Sequence, residues 1–297
     1  IGPDSAGINK EAVMRPTLQT LAVAALTAVP FIIVPLVAKA APVLFGASGT
    51  GPTEVQAAVD GFRTSLGTLN PNIAGSAGSG RREVNWDGVP DAFSAPNAFP
   101  AGFFNSNSPR GVVFSTPGTG FQVSASASSG TAVKFGNLNS TYPTLFQTFS
   151  PQRLFTPLGS NVVDVSFLVP GVTTAALSRG FGAVFTDVDF QNTTSLSFFD
   201  GNGAPLGTYF VPQGTAANAS LSFLGVDFGS NVVSRVRVTS GNTALGADET
   251  GGADLVVMDD FIYGEPVSAS AAVPEPEALG LLGAGLLGLA VARRRRI

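Results

Sequence analysis

From Ala41 to Tyr263 the chain alternates short apolar runs with breaks of Gly, Ser, Asn or Pro, and the runs are rich in Val, Phe and Thr. They read as strands over Gly111–Ser115, Gly120–Ser124, Val162–Val169, Ala183–Val188, Ser195–Phe199, Ser220–Val226, Ser234–Thr239 and Leu255–Tyr263. In several of them apolar and polar residues alternate, as in Arg235-Val236-Arg237-Val238, which buries one face and wets the other. One amphipathic helix is predicted from Thr53 to Ser65, with Val55, Ala58 and Phe62 on one side. Many short strands without alternating long helices predict an all-β domain over 41–265, an antiparallel β-sandwich of jelly-roll type. Asp200-Gly201-Asn202-Gly203 supplies the clearest hairpin turn. The 23 Phe against 3 Tyr and 1 Trp suit such a core, because Phe brings apolar area with no polar atom to satisfy.

The two ends follow other patterns. Met14 and Arg15 precede an apolar stretch from Leu18 to Val37, then Ala38-Lys39-Ala40, the order of a secretory signal peptide over 14–40 cut after Ala40. Pro30 and Pro35 interrupt that stretch, and an uncleaved anchor is the alternative reading. Residues 1–13 read as an upstream segment outside the fold. After Gly264 the strand pattern stops, and 266–273 reads as a short tether. Residues 278–292 carry no charge, and as a helix they extend roughly 22 Å, a marginal transmembrane helix. Arg293, Arg294, Arg295 and Arg296 are costly to move through lipid, so they stay on the cytoplasmic side and everything N-terminal to them lies outside.

Pro274, Glu275 and Pro276, followed by a short apolar helix and a terminal basic cluster, resemble the PEP-CTERM sorting signal of Gram-negative bacteria that make extracellular polysaccharide. The resemblance covers residues 274–297. It implies recognition by a membrane-embedded exosortase, cleavage near Pro274-Glu275-Pro276, and delivery to the cell surface or the exopolysaccharide matrix, after a stage held in the membrane by the C-terminal helix. A signal of this kind is an address and leaves the activity of the cargo open.

Composition narrows that activity. The chain has no Cys and no His, which removes disulfides, thiol nucleophiles, Ser-His-Asp triads and histidine general bases. Between Ala41 and Val273 nine Lys/Arg stand against sixteen Asp/Glu, a net charge of −7, which argues against nucleic acid as a partner. The expectation is a non-catalytic sandwich acting in adhesion or exopolysaccharide association. Its rivals are a glycan-active hydrolase using two carboxylates drawn from Asp187, Asp189, Asp259 and Glu83, and a purely structural surface protein.

Two groups of residues are candidate sites. Arg82, Asn85, Trp86 and Asp87 combine an indole with polar neighbours, the composition of a sugar platform; the structural alternative places Trp86 in the core, with Arg81 or Arg82 paired to a carboxylate. Asp187 and Asp189 share one face if they lie on a strand, and Asp259-Asp260 sit inside the last strand. These four are candidate ligands of a structural Ca²⁺, with solvated or Arg-paired carboxylates as the alternative. Met258 to Gly264 is similar to the calcium-holding final strand of jelly-roll carbohydrate-binding modules.

Overall fold

The computed structural model describes residues 41–216, 218–246 and 251–269. The upstream segment 1–13, the signal peptide expected at 14–40, the sorting signal with Pro274, Glu275, Pro276 and Arg293–Arg296, and the apolar run 278–292 lie outside the described residues. Among the described residues no helix is long and apolar enough to cross a membrane. In chain order the elements are β1 (Val43–Gly49), α1 (Pro52–Leu66), β2 (Arg81–Val84), α2 (Phe103–Ser106), β3 (Val112–Ser115), β4 (Gly120–Val123), α3 (Tyr142–Leu145), β5 (Phe155–Leu158), β6 (Val162–Phe167), β7 (Ala176–Leu177), β8 (Gly180–Thr186), β9 (Ser195–Phe199), β10 (Pro205–Phe210), β11 (Leu221–Asp227), β12 (Arg235–Thr239), β13 (Val257–Gly264) and β14 (Val267–Ser268).

The sheets are antiparallel, as the alternating runs predict. One has the order β1-β11-β8-β13-β5-β4, with β2 also paired to β13; the other runs β10-β9-β12-β6-β3. Their facing sides meet in one apolar cluster, which includes Phe181, Phe185, Val226 and Phe261 from the first sheet and Val163, Val165, Phe198 and Val236 from the second. The outer face of the second sheet is wet: Asp164 on β6 accepts from Arg235 at 2.8 Å and from Arg237 at 2.9 Å on neighbouring β12. That is why β6 and β12 alternate so cleanly.

The central strands β8, β11 and β13 of the first sheet are buried on both faces, and α1 covers their outer side. Pro52 at the helix start fixes φ where no backbone donor is needed, and Glu54 stands in the first turn, where the helix dipole favours an anion. Gly67, at φ 97°, ends the helix with its N–H bonded back to Arg63 O. Val55, Val59, Phe62 and Leu66 pack on Val184, Leu221, Phe223 and Ile262, each buried side chain being worth about 1.5–3 kcal/mol. Two glycines paired across the sheet, Gly182 and Gly225, make room for the Phe62 ring: a Cβ on Gly225 would stand 2.6 Å from it and one on Gly182 2.9 Å.

The folded body runs past the boundary expected at Glu265. β14 pairs with β7 through Val267 opposite Leu177 and Ser268 opposite Ala176, and Val267 is buried. The first residues of the tether expected at 266–273 are therefore part of the fold, because backbone pairing, which composition does not report, holds them.

Candidate functional site

The most unusual chemistry among the described residues lies in β13. Met258 pairs with Phe185 and Phe261 with Ala183, so Asp259 and Asp260 together oppose Val184 in a β-bulge. On its other side β13 is shared end to end by two strands, β5 at Met258 and β2 from Phe261 to Gly264, and the acidic pair falls in the gap between them. The Asp259 carbonyl, left without a strand partner, accepts from Trp86 Nε1 at 2.9 Å. Its carboxylate accepts from Phe149 N at 2.7 Å.

The Ser150 hydroxyl lies 3.2 Å from Asp259 Oδ1 and 3.0 Å from Asp260 Oδ1, and Asn85 Nδ2 donates to it at 3.3 Å. A hydroxyl has one proton to give, so Ser150 divides it between the two carboxyls. Burial, and then the Asp260 charge, push the Asp259 carboxyl well above the usual carboxylate range. Burial also lifts Asp260, to about 6, against the Ser150 hydrogen bond and the Arg63 charge that oppose it. Arg63 Nη2 approaches Asp260 at 3.9 Å, yet it is committed to Glu83 by two bonds of 3.0 and 2.9 Å, and Arg81 Nε adds a third to Glu83 at 2.7 Å. The pair thus lies buried, with both carboxyls raised, behind a surface ion network.

The candidate sugar platform around Trp86 does not form, and the structural alternative holds, with Trp86 in the core and Arg82 paired to a carboxylate, Glu265. Trp86 is 0% exposed, stacked on Phe155 at 4.1 Å and 3° and met edge-on by Phe104 and Phe261. A large ring with one donor satisfies that donor on Asp259 O and gives its whole area to the core. Arg82 is buried too and spends all five N–H groups: on Glu265 at 2.7 and 3.0 Å, on Ile73 O and Pro109 O, and on Gly75 O. Asn85 is exposed and caps a 3₁₀ turn by accepting from Asp87 N, while Asp87 accepts from Arg153 N at 2.9 Å. The four residues serve four different ends.

Asp187 and Asp189 do not share a strand face. β8 stops at Thr186, and Asp187 takes φ 72°, a left-handed turn that ends the alternation. Asp187 is buried and accepts from Ala219 N at 3.2 Å. Asp189 continues into a loop, where burial and the neighbouring Asp254 charge raise its carboxyl above the usual range. The four candidate calcium ligands do not gather on one site: Asp259 and Asp260 share Ser150, while Asp187 and Asp189 lie in the turn after β8, and among the described residues no group of three or more His, Cys, Asp or Glu is placed to hold a metal ion. Sequence reasoning passed over Ser150 and Arg63, whose roles come from chain crossings with no local pattern, and over the Arg82–Glu265 pairing across the length of the domain.

Comparison with known proteins addresses the C terminus. Residues 272–296 match the PEP-CTERM protein-sorting motif. No curated protein matches the chain. The motif implies an exported protein that an exosortase processes at its C-terminal end. It begins a few residues beyond β14, so the address follows directly on the folded body.

Proposed function

We propose that the protein is a cell-surface or extracellular-matrix component of an exopolysaccharide-producing Gram-negative bacterium. It is held in the membrane by its C-terminal helix until an exosortase cuts it, and its sandwich is a non-catalytic module that associates with exopolysaccharide. The sorting motif at 272–296 carries this reading. The chain crosses between the sheets at most connections, as from β8 to β9 and from β11 through β12 to β13, which supports a jelly-roll wrap of the kind carbohydrate-associated modules use. Three of the four carboxylates a hydrolase could draw on are otherwise engaged, which leaves Asp189 without a second one of the set: Glu83 is clamped by Arg63 and Arg81, and Asp187 and Asp259 are buried and hydrogen-bonded. A glycosidase pair needs an acid and a base facing each other across an open cleft.

The test is expression of the full chain in an exosortase-bearing, exopolysaccharide-producing host, beside a Glu275→Ala variant. Wild type should lose its C-terminal segment by mass spectrometry and fractionate with the matrix, and the variant should keep the segment and stay with the membranes. Processed protein recovered free in the medium, with none in the matrix, would sink the exopolysaccharide reading and leave the sorting route standing.

A further inference from the structure

Among the described residues Asp189 is the carboxylate that accepts no hydrogen bond from the protein; every other one there does. Its Oδ1 is shielded from solvent and unpartnered, so the carboxylate carries an uncompensated charge and Oδ2 is the oxygen open to a ligand's donor. Asp189 lines a cleft of about 420 Å³ together with Phe190, Gln213, Gly214, Thr215 and Ala216. The walls are fixed by the protein's own bonds: Gly214 N donates to Val188 O at 2.8 Å, Gln213 Nε2 donates to Asp189 O, and Asp189 N donates to Asp254 Oδ1 at 2.9 Å. On the rim the Phe190 ring is 43% exposed, although Phe elsewhere in this chain is mostly core.

We propose that this cleft binds a neutral saccharide, with the Asp189 carboxylate accepting sugar hydroxyls and the Phe190 ring packing on a C–H face of the sugar. A cation is the poorer occupant, because Asp254 behind Asp189 already spends its two oxygens on Asp189 N and the Thr193 hydroxyl. A hydroxyl supplies a donor without demanding further anionic ligands, and a carboxylate beside an apolar ring matches the two-sided polarity of a pyranose. The sugar-binding role considered at Trp86 thus moves to a different aromatic and a different carboxylate. The inference rests on the exopolysaccharide reading and gives it a site.

Affinity electrophoresis of the processed protein, in gels containing either dextran or the host's own purified exopolysaccharide, tests it. Wild type should be retarded by at least one of the two, and Phe190→Ala and Asp189→Asn should each weaken that retardation about tenfold or more. Asn231→Ala, in a separate cleft beside Gly229 and Arg179, should migrate as wild type. Phe190→Ala should keep its melting midpoint, and Asp189→Asn should raise it by removing repulsion from Asp254, so neither loss would reflect misfolding. Undiminished retardation of both variants would overturn the site and leave exopolysaccharide association intact. Wild type unretarded by either polysaccharide would overturn both. A calcium-dependent rise in melting midpoint that Asp189→Asn abolishes would make the cleft a cation site and end the saccharide assignment.

Discussion

Glu265→Gln should be among the most damaging conservative changes in this protein. Both side chains of the Arg82–Glu265 pair are 1% exposed. Glu265 Oε2 accepts from Arg82 Nε and from Asn70 Nδ2 at 2.8 Å, and Oε1 accepts from Arg82 Nη2 and from Ala77 N at 2.9 Å. A glutamine has one acceptor and one donor at these positions, so either flip of its amide sets an NH₂ against two donors and leaves the guanidinium charge uncompensated. Removing one partner of a buried pair costs about 3–5 kcal/mol. Total stability of a domain is about 5–15 kcal/mol, and at about 2–4 °C per kcal/mol for this size the melting midpoint should fall by roughly 6–20 °C. Thermal and urea unfolding of the single variant and of Arg82→Met with Glu265→Leu would measure this. The double variant, which buries neither charge, should recover much of the loss. A single-variant cost under about 1 kcal/mol, or a double variant as unstable as the two single costs combined, would refute the account.

The remaining expectations concern the core and the acidic bulge. For Asp259 and Asp260 the folded-state pKa lies above the unfolded one, so the folded protein is the better proton binder. Their contribution is fully present below about pH 4 and is lost as pH rises through about 6 for Asp260; the Asp259 contribution is lost in the same direction, as pH rises through its raised folded-state value. Stability should therefore fall from pH 5 to pH 8 by about 1.4 kcal/mol for the Asp260 shift alone, about half of its full effect, and Asp259→Asn should flatten that slope; a flat profile in wild type would contradict the raised carboxyls. Asp164, held below the usual range by Arg237 and Arg235 although burial opposes them, acts in the opposite sense and weakens the fold only at lower pH. The single tryptophan should emit as a buried indole, resist acrylamide quenching and ignore added saccharide, and Trp86→Ala should cost about 3–5 kcal/mol in urea unfolding. Gly225→Ala should cost about 1–3 kcal/mol by driving a methyl into Phe62, and an unchanged urea midpoint would show that α1 does not sit on this glycine pair.

Much of the fold was legible because strand alternation is local. Val163, Val165, Val236 and Val238 point inward at every second position, and the helix found at Pro52–Leu66 was readable over Thr53–Ser65 from Val55, Ala58 and Phe62, although Val59 rather than Ala58 is the fully buried residue between them. Less legible were β1, whose Gly46, Ala47 and Ser48 dilute its pattern, and β14, which exists only because β7 lies beside it. The candidate sites fared worse. Trp86 and Asp87 are adjacent in sequence and face opposite environments, and Asp187 leaves the strand through a single left-handed residue that a strong apolar run gave no reason to expect.

The sequence by itself determined the all-β class, the absence of thiol and imidazole chemistry, and the address at 272–296, since each resides in residue type, periodicity or a contiguous segment. Tertiary structure alone decided which polar groups are satisfied. Arg82 meets Glu265, Ser150 bridges Asp259 and Asp260, and Asp189 is left without a donor beside an exposed Phe190, because each outcome depends on which distant segment folds against it. Hydrogen bonding is short-ranged and directional, so no pattern along the chain could have reported it.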